Sequence, residues 1–239
     1  MIKVKKMITI IIPTLNEQDH IAATVRYLRG LEKADVFTEI IVCDGGSSDL
    51  TVQEAEKAGA DQVVISNKRG RSPQMNYGAS FAKGDILYFL HADTFPPPYF
   101  AIRIIDAHKK GLDAGCFTLS FDYKHWFLRA NCWFTRFDFN SFRFGDQSLF
   151  INVNIFKQLG GFCEKHEVLE DQEIIKRIKA SSKFTVIQKP VITSARKYLA
   201  NGVFKTQGVF FLIYFMYRLG CSQSGLVKTY KKMMRQTFF

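Results

Sequence analysis

His91-Ala92-Asp93 sets an imidazole and a carboxylate two residues apart, directly after the apolar run Ile86 to Leu90. Five large apolar residues between a Lys-Gly-Asp turn and Pro96-Pro97-Pro98 predict a buried strand. Period-two geometry then sends residues 91 and 93 to the same side, just past the strand's carboxyl end. In open α/β sheets that edge is where ligands bind, so a metal or phosphate site is expected there. A packed, hydrogen-bonded histidine is an equally ordinary role for His91.

Other stretches carry compatible chemistry. Asp44-Gly45-Gly46-Ser47-Ser48-Asp49 joins a carboxylate at a strand end to two glycines that let a ligand approach the backbone. Pro13-Thr14-Leu15-Asn16-Glu17 ends the preceding strand, and the two loops together could read a base and a ribose by hydrogen bonding. Lys68-Arg69-Gly70-Arg71-Ser72-Pro73-Gln74-Met75-Asn76 brings three cations to a helix start, where free N–H groups already favour an anion. Glu170-Asp171 opens another helix and could supply a general base or simply complement the helix dipole. No phosphate-binding P-loop and no Gly-x-Gly-x-x-Gly follows the first strand, so a nucleotide must be held another way.

The elements that must position these residues alternate. Ile8–Ile12, residues 39–43, 63–65 and 86–90 read as strands, and the intervening segments carry helical spacing, Ile21/Val25/Leu28 among them. Asn16 is the expected cap of the first helix, and Ser72-Pro73 of the third. This pattern predicts parallel pairing and a doubly wound sheet over roughly the first 95 residues. Beyond Pro98, residues 99–110 and 170–180 read as helices, and 114–121 and 148–151 as strands. The aromatic stretch from Trp126 to Phe139 is expected in the core or at a domain interface. Residues 209–217, nine apolar or aromatic positions in a row, are too few to span a bilayer. They would pack on the core or lie in a membrane interface.

The formal charge of +11 is concentrated at one end. After Glu173 there is no Asp or Glu, while thirteen Lys and Arg follow, which suggests an anionic partner such as a membrane surface for this tail. No nucleic-acid motif accompanies the charge, so a nucleic acid is not expected. Five scattered cysteines without a Cys-x-x-Cys pair argue against a disulfide framework or a structural zinc site, and for a reducing, cytoplasmic setting. The basic and apolar first twelve residues fit a first strand better than a signal peptide, since the apolar run is short and no small-residue cleavage site follows.

Taken in order and spacing, Pro13-Thr14-Leu15-Asn16-Glu17, Asp44 to Asp49, Gly70-Arg71-Ser72-Pro73-Gln74-Met75-Asn76 and His91-Ala92-Asp93 resemble family 2 of the inverting glycosyltransferases. The similarity extends more faintly through Gly145-Asp146-Gln147, Gly160-Gly161-Phe162, Glu170-Asp171 and Ser194-Ala195-Arg196. The resemblance implies a GT-A fold, that is, a Rossmann-like mixed α/β sheet flanked by helices in one compact domain with a helical C-terminal segment. Residues 1–95 would form the nucleotide-binding half, 96–200 the acceptor half and 201–239 the basic, aromatic segment. It implies a nucleotide-sugar donor, UDP-linked, with Mn²⁺ or Mg²⁺ on the diphosphate held by Asp93 and His91. Pro13, Thr14, Asn16, Glu17, Asp44, Gly45, Arg71, Gln74, Asn76, Ala92 and Arg196 would hold the donor. Arg143, Asp146, Gln147 and Glu170 fall on the acceptor side, where a salt-bridged surface loop is the alternative for the first three. Asp171 would be the base. The family's Asp-x-Asp element reads His-Ala-Asp here, which leaves one carboxylate. Absence of the processive synthases' Arg-Trp element and membrane spans implies a single-transfer enzyme, for which a lipid-linked acceptor is one candidate. A nucleotidyltransferase and a non-catalytic membrane-surface module are the competing readings.

Overall fold

The computed structural model describes residues 7–31, 37–139 and 145–234. Its first half is strand–helix repeats: β1 (Met7–Thr14), α1 (Ile21–Gly30), β2 (Phe37–Asp44), α2 (Thr51–Lys57), β3 (Gln62–Ile65), α3 (Arg71–Ser80) and β4 (Ile86–Phe89). The second half adds β5 (Thr94–Phe95), α4 (Phe100–Lys109), β6 (Ala114–Phe121), α5 (Trp126–Phe134), β7 (Leu149–Asn152), α6 (Val153–Gln158), α7 (Glu170–Ser181) and β8 (Phe184–Thr193). Three helices follow: α8 (Arg196–Asn201), α9 (Val203–Arg218) and α10 (Gln223–Met233).

One mixed sheet runs β3-β2-β1-β4-β7-β6-β8-β5. The first four strands are parallel, as the βαβ pattern requires, and β7 pairs antiparallel with β4 and β6. Strand order reverses between β1 and β4, so their carboxyl ends open a crevice at a topological switch point. Pro13-Thr14 and His91-Ala92-Asp93 lie at those ends.

Alternation along β1 divides the core. Ile8, Ile10 and Ile12 face a cluster with Val25, Tyr88 and Ile104, whereas Ile11 faces Leu87, Phe89, Ile151 and Ile174 across the sheet. Gly78 lets α3 lie against β1, because a Cβ there would meet Ile11 Cγ2 at 2.8 Å. A third cluster, with Val168, Val209, Ile213, Leu226 and Tyr230, seats α9 and α10 beside the sheet.

Several expectations change. The longest strand, β8, falls where no element is expected, and carries Pro190 in its interior, a residue normally confined to strand edges and bulges. It is accommodated because the β6–β8 register shifts between Phe117 and Thr118. Asn16 does not cap α1; it sits in the left-handed region at φ 53°, and α1 starts from His20 with no side-chain cap. The cap of α3 is Gly70 at φ 114°, a conformation suited to glycine, and Ser72 instead donates to the His166 carbonyl at 3.1 Å. The aromatic stretch around α5 buries only Leu128 and Thr135, with Cys132 against the core, whereas Trp126, Trp133 and Phe139 face outward.

Candidate active site

The two loops at the crevice are stitched to each other. Asn16 N–H donates to Ser47 Oγ at 2.8 Å, and Asn16 Oδ1 accepts from Ser48 N–H at 2.9 Å. Glu17 N–H donates to Thr51 Oγ1 at 2.7 Å. Asp44 is 1% exposed, and its carboxylate accepts from Gly46 N–H, Ser47 N–H, Ser47 Oγ and Thr14 Oγ1. With its lone pairs committed to its own loop and to Thr14 at the end of β1, Asp44 braces the crevice floor. Gln74 Nε2 clamps the ends of β1 and β2 by donating to the Thr14 and Cys43 carbonyls at 2.6 and 2.9 Å.

Around this floor lies a cleft lined by Pro13, Thr14, Glu17, Arg71, Gln74, His91, Ala92, Asp93, Asp146, Arg196 and Lys197 among others. Its polar groups are interlocked. Arg196 makes a two-pronged contact with Glu17 (Nη1–Oε2 2.8 Å, Nη2–Oε1 2.6 Å), and its Nε faces Asp93 Oδ2 at 3.0 Å. His91 Nδ1 meets Asp146 Oδ1 at 3.0 Å. Burial alone would raise Asp146, but the hydrogen bond and charge of His91, with Lys197 and Arg71, hold its carboxyl well below the usual range. Lys197 is pushed down to about 8, first by burial and then by Arg71, against the pull of Asp146 and Asp93.

A second, more apolar cavity adjoins the first and shares Arg71, Phe121, Asp146, Lys197, Tyr198 and Phe210 with it. Leu119, Cys132, Val168, Ile213 and Tyr230 supply its greasy walls, and Glu170 and Asp171 also line it. Leu169, at φ 59°, turns the chain sharply so that α7 begins with these two carboxyl groups at the cavity. Burial, then the neighbouring Glu170 carboxylate, push Asp171 up to about 8. Arg71 Nη1 lies 3.9 Å from Glu170 Oε1, linking donor-side and acceptor-side groups.

Of the residues expected from sequence, the first cleft gathers Pro13, Thr14, Glu17, Arg71, Gln74, His91, Ala92, Asp93, Asp146 and Arg196. Asn16, Asp44 and Gly45 shape the loops beneath it without lining it. Asn76 is turned away: its side chain bonds the Phe162 backbone at both N–H and carbonyl, at 2.8 and 2.9 Å. Gln147 is buried, donates to the Phe117 carbonyl at 3.0 Å, and lines a smaller cavity with His91, Glu170 and Asp171. Arg143 lies outside the described residues. Tyr198, Phe210 and Phe121 were not singled out from the sequence. They are ordinary apolar residues whose place is set by where α8, α9 and β6 pack.

Among the described residues no cluster of three or more His, Cys, Asp or Glu side chains could hold a metal alone. Asp93 and His91 nonetheless face one cleft, and the Asp146 contact at Nδ1 leaves the other ring nitrogen of His91 as the available ligand. One carboxylate and one imidazole fit a hard cation that brings most of its oxygen ligands with a diphosphate.

An α/β sheet with a polar cleft at its switch point, opening into an apolar cavity, is a ligand-binding scaffold, and its fold is the GT-A fold of its solved neighbours. The glycosyl transferase family 2 model matches residues 9–162, and the chain belongs to that family. The undecaprenyl-phosphate 4-deoxy-4-formamido-L-arabinose transferase of Edwardsiella ictaluri is 28% identical over 118 residues, 46% of this chain and 36% of that protein. The corresponding transferase of Aeromonas hydrophila is 27% identical over 115 residues, 45% and 35% of the two chains. The match thus spans about a third of the length of these curated relatives. Among solved structures, a Pyrobaculum calidifontis mannosyltransferase in complex with GDP-Man and Mn²⁺ aligns with TM-score 0.70 at 15% identity, over 97% of this chain and 68% of the other. Glucosyl-3-phosphoglycerate synthase from Mycobacterium tuberculosis, with Mg²⁺ and UDP, aligns with TM-score 0.63 at 16% identity, covering 93% and 83%. At such identities the likeness is one of fold.

Proposed function

We propose that this protein transfers a sugar, with inversion, from a nucleoside-diphosphate sugar in the first cleft to an acceptor in the second cavity. The observation that carries the reading is the shared wall of the two cavities, with Asp93 and Arg196 on one side and Asp171 on the other. The solved neighbours with bound UDP or GDP-Man support a nucleotide donor, and we take it to be UDP-linked. The half up to residue 95 then holds the nucleotide, residues 96–200 the acceptor, and the segment from 201 caps the acceptor side.

Donor binding falls to groups already in place. The loop 13–17, braced from beneath by the loop 44–49, receives the nucleoside, while Arg71, Lys197 and Arg196 surround the diphosphate with positive charge. Glu17 fixes the Arg196 fork, so its guanidinium is oriented before substrate arrives. Asp93 and His91 would hold Mn²⁺ or Mg²⁺, which when bound offsets the charge developing on the leaving diphosphate. Asp171, raised toward neutrality by burial and Glu170, is suited to take the acceptor's proton as the bond to the sugar forms. The apolar walls of the second cavity suit an acceptor with a hydrocarbon portion, in keeping with the lipid-phosphate substrates named for the curated relatives.

The test is a panel of nucleotide sugars scored for nucleotide release with and without Mn²⁺. Release that depends on the metal and is lost in Asp93→Ala is expected. Full turnover in excess chelator would overturn the metal assignment, and pyrophosphate-forming synthesis of a nucleotide sugar from a sugar phosphate would overturn the transferase reading.

A further inference from the structure

Helix α9 is apolar on both faces. Its inner side, with Val209 and Ile213, is buried in the third core cluster. Its outer side presents Phe204, Phe211, Leu212, Phe215 and Leu219, all exposed, at spacings that keep them on one stripe opposite the buried residues. Trp126 of α5 extends the stripe, with its ring 6.3 Å from that of Phe204. Trp126, Phe215 and Leu219 are 69%, 60% and 67% exposed, a contiguous apolar face that water does not favour.

The charge around the stripe indicates what covers it. Lys205 and Arg218 each adjoin one end of it, and Lys228, Lys231 and Lys232 are exposed on α10, which packs against α9. No Asp or Glu occurs after Glu173. A second copy docked through this face would set these cations against the same cations, which is repulsive. Anionic headgroups complement them, and acyl chains take the aromatics. Sixteen residues of helix extend about 24 Å, short of a bilayer's hydrocarbon core, and no described helix is long and apolar enough to cross a membrane.

We propose that the outer face of α9, with Trp126, lies in the interface of an anionic lipid bilayer. The contact is a surface immersion, parallel to the membrane plane, with the α9–α10 cations at the headgroups. Phe210 and Ile213, on the same helix, line the acceptor cavity, so the docked helix is the partition between bilayer and cavity. That last placement rests on the acceptor reading above; the membrane contact does not.

Binding of the full chain to vesicles of phosphatidylcholine, with and without phosphatidylglycerol, tests this without donor or acceptor. Anionic vesicles are expected to bind it, with a remnant that survives high salt because apolar groups are inserted. In Trp133→Phe, the remaining Trp126 fluorescence should be quenched by brominated acyl chains. Phe215→Ser with Leu219→Ser should weaken partitioning about tenfold or more while leaving the melting curve in place, since both side chains are exposed. Lys228→Gln with Lys231→Gln and Lys232→Gln should remove most of the salt-sensitive part. Undiminished binding by the serine variant, or no quenching of Trp126, overturns the proposal. So does a lipid-free dimer that the serine substitutions dissolve, which would assign the face to a second copy. Because vesicle binding needs no turnover, its failure leaves the transferase reading standing, and a chain inactive on every donor can still satisfy it.

Discussion

Replacing Asp171 by Asn should remove activity and add stability, with both effects arising from one carboxyl group. Unfolded, the carboxyl ionises above about 3.8; folded, burial and Glu170 hold its proton up to about 8. The stabilising proton linkage is therefore complete below pH 3.8 and drains away as pH rises to about 8. Four units at about 1.4 kcal/mol each set a ceiling of about 5–6 kcal/mol. Asp171 keeps some contact with water and shares the cost with Glu170, so about 1–2 kcal/mol is the expected size at pH 8. The amide that replaces the carboxyl has no charge to desolvate. The Asp171→Asn variant should melt roughly 2–8 °C above the wild type near pH 8, with the gap closing toward pH 4. Its transfer rate should fall by about 10²–10⁴, with nucleotide affinity retained, and wild-type kcat/KM should climb with pH toward about 8 as the base loses its proton. Thermal denaturation across pH, with nucleotide release in parallel, measures all three. A variant that melts no higher at pH 8, or gains equally at pH 4, would refute the buried-charge argument, and an active variant would remove Asp171 as base.

Asp93→Ala should abolish binding of Mn²⁺ as read by its paramagnetic resonance in the presence of UDP, and unchanged spectra would exclude Asp93 as a ligand. Asp146→Asn leaves His91 without its charged partner and should weaken Mn²⁺ affinity about tenfold or more in the same titration. Gln74→Ala removes one hydrogen bond each from the Cys43 carbonyl and from the Thr14 carbonyl, which still accepts from Gly45 N–H, and should destabilise the fold by about 1–3 kcal/mol in urea denaturation. A loss below that range would mean that water replaces the amide.

Much of the nucleotide half is readable in the chain itself. Each of β1 to β4 is a short apolar run closed by turn residues, and local pattern is enough to place it. The partners of the polar groups are less accessible. Nothing in the sequence pairs His91 with Asp146, 55 positions later, or Arg196 with Glu17, 179 positions earlier. Strand β8 also escapes, because Pro190 opposes the strand pattern and only the bulge in its pairing with β6 admits it.

The sequence by itself determined the alternating architecture, the family, and the positions at which carboxylates and cations meet strand ends, because these depend on local periodicity and short motifs. Tertiary structure decided what each group does there. Asp44 became a loop brace, Asn76 a prop for the Phe162 loop, and Asp146 the partner of His91. It also turned most of an aromatic run expected in the core or at a domain interface outward, with Trp126 beside α9. The physical reason is that hydrogen-bond partners, burial and the resulting charge states depend on atoms distant in sequence, which only the packed chain brings within a few ångströms.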